Sequence, residues 1–386
     1  MKSLVSTIYI DGQDYPVSMA KKQGTATASR LQLDFASTYG ADSFHASLAD
    51  FLSEWFDEKD VLKVHTSGST GKPKELWVEK RCIINSARAT VSFLGLKEGD
   101  NALLCMPLPY IAGKMVVVRS LITGMNLLMI PPCGHPLANL NPIPDFAAMT
   151  PMQVFNTLEV PAERAKLEKV RHLIIGGGAV NADMAEVLKT FPNAVWSTYG
   201  MTETLSHIAL RRLSGEGASD WYTPFEGVQV SQSAENTLVI HAPQVCHEVL
   251  HTNDIVTFND NGQFRIIGRK DNTINTGGIK VQIEEVESKL AQHFSVPFMV
   301  TSAPDPKFGE RIVLLIEGDR EAEKDSSVDS TISKEEISKE EISEAISQLP
   351  TYWQPKEVVA IKKLPLTGTG KPDRATAKKL AKGLIK

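Results

Sequence analysis

The sequence predicts an α/β protein with mostly parallel sheets, and three observations predict it. Short apolar runs alternate with amphipathic helical spacings from residue 61 to about residue 204. Several of those runs lead directly into loops of glycine and hydroxyl residues. After about residue 220 the texture changes to short strand-like runs, two of them joined by Asn259-Asp260-Asn261-Gly262, a hairpin signal. Alternating strands and helices favour parallel pairing, and a cluster of short strands favours an attached β subdomain.

The chain has 386 residues, 42% of them hydrophobic and 23% charged, enough for a large buried core. A net charge of -5 offers no general attraction to nucleic acid or anionic membranes. Cys82, Cys105, Cys133 and Cys246 are scattered without a CxxC pair, the usage of reduced thiols in a cytoplasmic protein. The most apolar stretch, 115–132, contains Arg119 and Gly124 and ends in Pro131-Pro132, so it predicts a buried helix, a turn and a buried strand rather than a membrane span. The start of the chain shows no signal-peptide pattern.

In order, 3–10 predicts a strand before an Asp11-Gly12 turn, and Phe44, Leu48, Phe51, Leu52, Trp55 and Phe56 have helical spacing. Strands are expected at 61–64 and 75–78, then a helix over 80–94 ended by Gly95. Further strands fall at 101–106, 126–130, 170–175 and 194–197, with a helix over 181–189; 146–155 reads equally as helix or turn. The β subdomain takes 227–230, 237–241, 255–258 and 263–267, and a helix at 282–292 and strands at 296–302 and 311–317 follow. Residues 318–341 are charged and Ser-rich, with a local near-repeat, and read as a disordered or helical insertion.

Thr66-Ser67-Gly68-Ser69-Thr70-Gly71-Lys72-Pro73-Lys74 follows an apolar run, and its hydroxyls, glycines and ammonium groups suit a phosphate chain. It is not a Walker loop: Thr66 stands where the first glycine should be and Pro73 follows Lys72. Any magnesium ligand must therefore come from elsewhere. Loops after neighbouring parallel strands share one crevice, which nominates two more segments. Gly176-Gly177-Gly178-Ala179 is small enough for a planar ring to approach. Thr198-Tyr199-Gly200-Met201-Thr202-Glu203-Thr204 offers an aromatic ring, hydroxyls and a carboxylate able to hold magnesium.

Five motifs, 66–74, 199–203, Thr252-Asn253-Asp254, Gly268-Arg269-Lys270-Asp271 and Gly370-Lys371, stand in the order and character of the adenylate-forming superfamily. That superfamily includes acyl- and aryl-CoA synthetases, adenylation domains of peptide synthetases and beetle luciferases, and the resemblance runs from about residue 61 to the end. It implies an AMP-forming acid–thiol ligase: a small-molecule carboxylate attacks the α-phosphate of ATP, and the thiol of CoA then displaces AMP. It also implies a large domain over 1–267 with a β subdomain at about 222–267, a hinge at 268–271, and a small mobile α+β domain over 272–386. Only 65 residues precede the phosphate loop, fewer than the family usually carries, so the large domain is expected to be abridged at its N-terminus.

The resemblance assigns roles by position. Thr66, Ser67, Gly68, Ser69, Thr70, Gly71 and Lys74 would grip the outer phosphates. Gly177, Gly178, Ala179 and Tyr199 would flank adenine, Gly200 and Met201 would belong to the same ATP site, Thr202 would touch the α-phosphate, and Glu203 would hold Mg2+. Asp254 would bind the ribose hydroxyls and Arg269 the ribose or phosphate, and Lys371 would bridge the carboxylate and the α-phosphate. Asp271 marks the hinge, and Gly277 and Gly278 would line the tunnel for the thiol arm. The segment from Pro107 to Lys114, followed by Arg119, resembles o-succinylbenzoate–CoA ligases of menaquinone synthesis. There Arg119 would face a second carboxylate on an aromatic acid, or else pair with a protein carboxylate or reach the surface; Lys114 would belong to the same substrate site, and Tyr110 and His207 either line the acyl pocket or simply pack. Cys246, His247, His251 and His241 lack zinc-type spacing, so no other metal is expected.

Overall fold

The computed structural model describes residues 7–16, 21–65, 75–294, 296–318, 337–367 and 372–384. It divides into two compact units. The first holds Met1–Ser231, Val239–Leu250 and Phe258–Phe264; the second holds Gln232–Leu238, His251–Thr257 and Arg265–Lys386.

In the first unit the described residues form a nine-stranded sheet. Its strands run Thr223–Pro224, His207–Arg212, Ala194–Gly200, His172–Ile175, Phe146–Met149, Asn101–Leu104, Asn126–Met129, Thr7–Ile10 and Gln13–Pro16. The six from Ala194–Gly200 to Thr7–Ile10 pair in parallel, and antiparallel strands close both sides. After their first residues the central strands are apolar because both faces are covered. Ala102, Leu104, Leu127, Phe146 and Ile174 enter one core with helices Phe44–Trp55, Lys80–Leu94 and Ile111–Thr123. Their neighbours Leu103, Leu128, Ala147 and Leu173 point the other way, into a core with helices Pro151–Glu159 and Ala182–Lys189. Successive strand residues face opposite sides, so a doubly covered strand has no polar alternation.

Local signals set the element ends. Gly95 ends Lys80–Leu94 and Gly124 ends Ile111–Thr123, each in the left-handed conformation that a helix C-terminus favours. Asp11 and Gly12 both take positive φ, the two-residue hairpin turn. The ambiguous 146–155 segment divides in two: strand Phe146–Met149, then helix Pro151–Glu159 opened by Thr150 and Gln153 in a reciprocal capping box. Lys21–Tyr39 is a helix without a counterpart in the sequence reading. Val61–His65 differs in placement from the crevice argument: it pairs with Glu75–Glu79 in a separate two-stranded ribbon, outside the nine-stranded sheet.

The expected β-subdomain strands occur as Gln229–Gln232, Thr237–His241, Leu250–Phe258 and Phe264–Arg269. The second unit carries a sheet of Ile279–Gln282, Thr273–Thr276, Gly309–Glu317, Phe298–Asp305 and Glu357–Ile361. Helices Ile283–Leu290 and Lys339–Ser347 supply Val286, Leu290 and Ala345 to one core; Arg374–Leu384 supplies Ala377 and Ala381 to another. Of the insertion read at 318–341, residues 319–336 lie outside the described residues, and Ser338 caps the helix that follows. Among the described residues no helix is long and apolar enough to cross a membrane.

Candidate active site

Two of the nominated loops leave adjacent parallel strands of the large sheet. His172–Ile175 ends in Gly176, where a Cβ would lie 2.6 Å from Thr198 Oγ1, so the two loops approach too closely for a larger residue. Gly177 has a φ of +83°, and 177–179 are exposed. Ala194–Gly200 delivers Tyr199, which is 8% exposed and set edge-on against Phe264 and Tyr222, at ring distances of 5.1 and 5.9 Å. A single helical turn, Thr202–Thr204, follows. The Thr204 hydroxyl accepts from the Met201 N–H at 3.0 Å and lies 2.8 Å from the Ser206 carbonyl oxygen, which ties the turn down. Glu203 stands exposed on that turn and carries no ion pair among the described residues. Buried Leu205 is held at φ +64°, a strained conformation of the kind that clusters near binding sites. A Cβ on Gly200 would sit 2.4 Å from the Ser206 carbonyl oxygen, so the strand can return only past a glycine.

Beside this turn lies Arg119, 2% exposed on a helix buried from Gly113 through Leu121. Its Nη2 donates to Thr90 Oγ1 at 3.2 Å and to Ser206 Oγ at 3.0 Å, and its buried Nε has no partner among the described residues. No carboxylate among the described residues pairs with it. Burial lowers its pKa to about 9. His207 completes the cluster, with Nε2 3.0 Å from Thr90 Oγ1 and Nδ1 3.3 Å from Ser206 Oγ. Thr90 also donates to the Ser86 carbonyl at 3.3 Å. One consistent assignment has His207 Nε2–H donating to Thr90 and Nδ1 accepting from Ser206. Burial, and then the Arg119 charge, holds the His207 pKa well below the ordinary range, so the ring is neutral. Among the described residues the guanidinium is therefore held by two hydroxyls, which in turn bond the neutral His207 ring.

The other residues expected near the acyl pocket are differently placed. Lys114 Nζ donates to Glu54 Oε2 at 3.0 Å and to the Lys63 carbonyl at 3.1 Å. Tyr110 is the exposed residue at the start of the Arg119 helix. The structure thus brings Arg119 and His207 together and holds Lys114 on a protein carboxylate. Thr90 and Ser206, which hold Arg119, were not singled out in the sequence; a lone threonine on a helix carries no signal of its own.

In the second unit, Arg269 bonds Asp254 Oδ1 at 3.1 Å and Asp271 Oδ2 at 3.2 Å, and Asn253 Nδ2 reaches Asp271 at 3.1 Å. Gly277 and Gly278 form the two-residue tip of the Thr273–Thr276/Ile279–Gln282 hairpin, both at positive φ. Thr66, Ser67, Gly68, Ser69, Thr70, Gly71, Lys74 and Lys371 lie outside the described residues.

Residues 5–233 match the AMP-binding enzyme family. The chain belongs to that family. This member is 31% identical to an AMP-forming acyl-CoA synthetase/AMP-acid ligase II-like protein from Dyadobacter fermentans; the match covers 92% of this chain and 98% of that one, with a TM-score of 0.59. It is 25% identical to the 2-succinylbenzoate–CoA ligase of Listeria monocytogenes over 90% of this chain and 78% of that enzyme. It is 26% identical to the Bacillus mycoides ligase of the same name over 64% of this chain, and the match spans 57% of that relative's length. The Bacillus subtilis o-succinylbenzoate CoA synthetase, solved with its acyl-adenylate intermediate, shares the fold at 21% identity and a TM-score of 0.66, over 82% of this chain and 68% of that one. The α/β class expected from the sequence agrees with these neighbours.

Proposed function

We propose that this AMP-binding enzyme is an ATP-dependent carboxylate–CoA ligase that works through an acyl-adenylate, and that its acid is an aromatic ring bearing a second carboxylate, as in o-succinylbenzoate of menaquinone synthesis. The observation that carries the substrate reading is Arg119: a buried guanidinium without a carboxylate partner among the described residues. An isolated buried charge is costly, and a substrate carboxylate would relieve that cost on binding. A guanidinium can hold a carboxylate through two charge-assisted hydrogen bonds. Names of relatives such as the Listeria 2-succinylbenzoate–CoA ligase point the same way.

In the first step a carboxylate oxygen bonds to the α-phosphorus of ATP and the bond to pyrophosphate breaks. In the second, the CoA sulfur, having lost its proton, bonds to the acyl carbon and AMP leaves. The first step joins two anions, so positioning and positive charge matter more than a protein nucleophile. The proposed division of labour follows the motifs. The 66–74 loop grips the outer phosphates; Gly177, Gly178, Ala179 and Tyr199 frame adenine, Thr202 meets the α-phosphate, and Asp254 with Arg269 binds ribose. Lys371 bridges the two reacting groups. The exposed Glu203 carboxylate, a hard oxygen donor, fits Mg2+. When bound, that ion would offset phosphate charge. Residues 268–271 serve as hinge between domains 1–267 and 272–386, with Gly277-Gly278 passing the thiol arm, and the working compartment is the cytoplasm.

The test is a panel of aromatic and aliphatic acids in ATP–pyrophosphate exchange, followed by CoA addition. Exchange and thioester formation with o-succinylbenzoate support the proposal. A preference for simple aliphatic acids would remove the second-carboxylate reading, and exchange without a CoA thioester would indicate loading of a carrier-protein thiol. Lys371→Ala should abolish exchange yet still form thioester from supplied acyl-adenylate; equal loss of both steps would defeat the hinge assignment.

A further inference from the structure

A second cluster in the first unit is independent of the nucleotide chemistry. Glu79 stands at the N-terminal boundary of helix Lys80–Leu94, and Cys82 lies in its first turn, 5% exposed. His247 comes from a distant segment and places Nε2 2.9 Å from Glu79 Oε1. A carboxylate oxygen of Glu79, the Cys82 sulfur and a His247 ring nitrogen all lie within 4.8 Å of one another. We propose that Glu79, Cys82 and His247 form a site for a zinc-type divalent cation, with one position left to water or to the neighbouring Cys246.

The donor set is the chemical argument. Thiolate, imidazole and carboxylate together suit a borderline-soft ion and do not suit magnesium or calcium. For tetrahedral zinc with bonds of about 2.0–2.3 Å, ligand atoms stand about 3.3–3.5 Å apart, so the donors need only small side-chain rotations to converge.

The scaffold is built without the ion. Asn85 Nδ2 donates to the Gln244 carbonyl at 3.0 Å, pinning the His247 segment to the same helix. Val245 packs against the main core, and the Val245 and Cys246 N–H groups both bond the Ala242 carbonyl at 2.9 Å. Arg81 holds the other Glu79 oxygen at 3.1 Å, leaving Oε1 to face His247. Outer partners of this kind orient metal-binding carboxylates. A thiolate and a carboxylate together match the charge of a dication.

The purified full chain should be titrated with Co2+, then Zn2+. The expected result is one Co2+ per chain with a thiolate-to-cobalt charge-transfer band, displaced by Zn2+ and unaffected by excess Mg2+. His247→Ala, at an exposed position, and Cys82→Ser should each abolish the band while circular dichroism stays that of the parent. Glu203→Gln and Cys133→Ser should leave it intact. Absence of the band in the parent protein, or its survival in His247→Ala, would overturn the proposal.

Discussion

Two arginines, the half-buried Arg374 in one unit and the fully buried Arg119 in the other, are treated in opposite ways. Arg374, at the start of the C-terminal helix, is clasped by Glu287 through both Nη atoms, at 2.5 and 2.7 Å. Burial alone would lower its pKa, but the Glu287 hydrogen bonds and charge outweigh that and raise it. Arg119 is more deeply buried, meets only hydroxyls, and falls to about 9. The first arginine completes a pair within the chain. The second resembles half of a pair whose other half arrives with substrate. The lesson is that burial of a charge says little by itself; what the surrounding side chains leave unneutralised says more.

The largest expected effect breaks the complete pair. Arg374→Leu leaves the Glu287 carboxylate without its main partner and should cost about 2–4 kcal/mol of stability, the range for breaking a buried pair reduced for its one-fifth exposure. Chemical denaturation measures this, and an unchanged midpoint would put Arg374 on a par with a surface arginine.

Arg119→Leu should do the reverse. The folded pKa lies below that of the unfolded chain, so the penalty of the buried charge is full below pH 9 and is relieved only as pH rises through 9 toward the ordinary arginine value. Removing that charge should stabilise the protein by about 1–4 kcal/mol at pH 7, while KM for o-succinylbenzoate rises by roughly 100-fold, about 2.7 kcal/mol, and KM for ATP stays constant. Loss of stability with an unchanged KM would make Arg119 a structural residue like Arg374. Arg119→Lys, keeping charge but losing the fork, should raise the same KM by only about tenfold.

The smallest effect concerns His207. Its folded pKa is depressed, so its contribution to stability is complete above about pH 6.5, the unfolded value, and is lost as pH falls below it. That gives a slope of up to about 1.4 kcal/mol per pH unit. His207→Gln should remove this slope in melting temperatures measured between pH 7 and 5. A slope that survives would assign the acid sensitivity to other groups.

The fold was legible where a local signal and a periodicity agreed. Lys80–Leu94 was read with both ends because Gly95 supplies the left-handed cap. The Asp11-Gly12 turn was equally plain. Phe146–Met149 was not, because four residues buried on both faces have no alternation to read, and the Thr150–Gln153 capping box that opens the next helix emerged only in the structure. For the site, Arg119 could be nominated as a cation in an apolar helix, and Glu203 as a carboxylate after a strand. Lys114 looked the same as Arg119 in the sequence, yet Glu54 and the Lys63 carbonyl hold it. Partners 29 to 87 residues away separate two such cations, and no spacing rule reaches that far.

The sequence by itself determined the alternation of strands and helices, the glycine turns and the ordered motifs that mark an AMP-binding enzyme, because these depend on backbone preference and on residue type at short range. Only the tertiary structure decided which buried charge is answered and which is left open. It also decided that Val61–His65 leaves the main sheet for a ribbon with Glu75–Glu79, and that Cys82 meets His247. Those outcomes depend on what packs across the core, and packing is a property of segments brought together from distant parts of the chain.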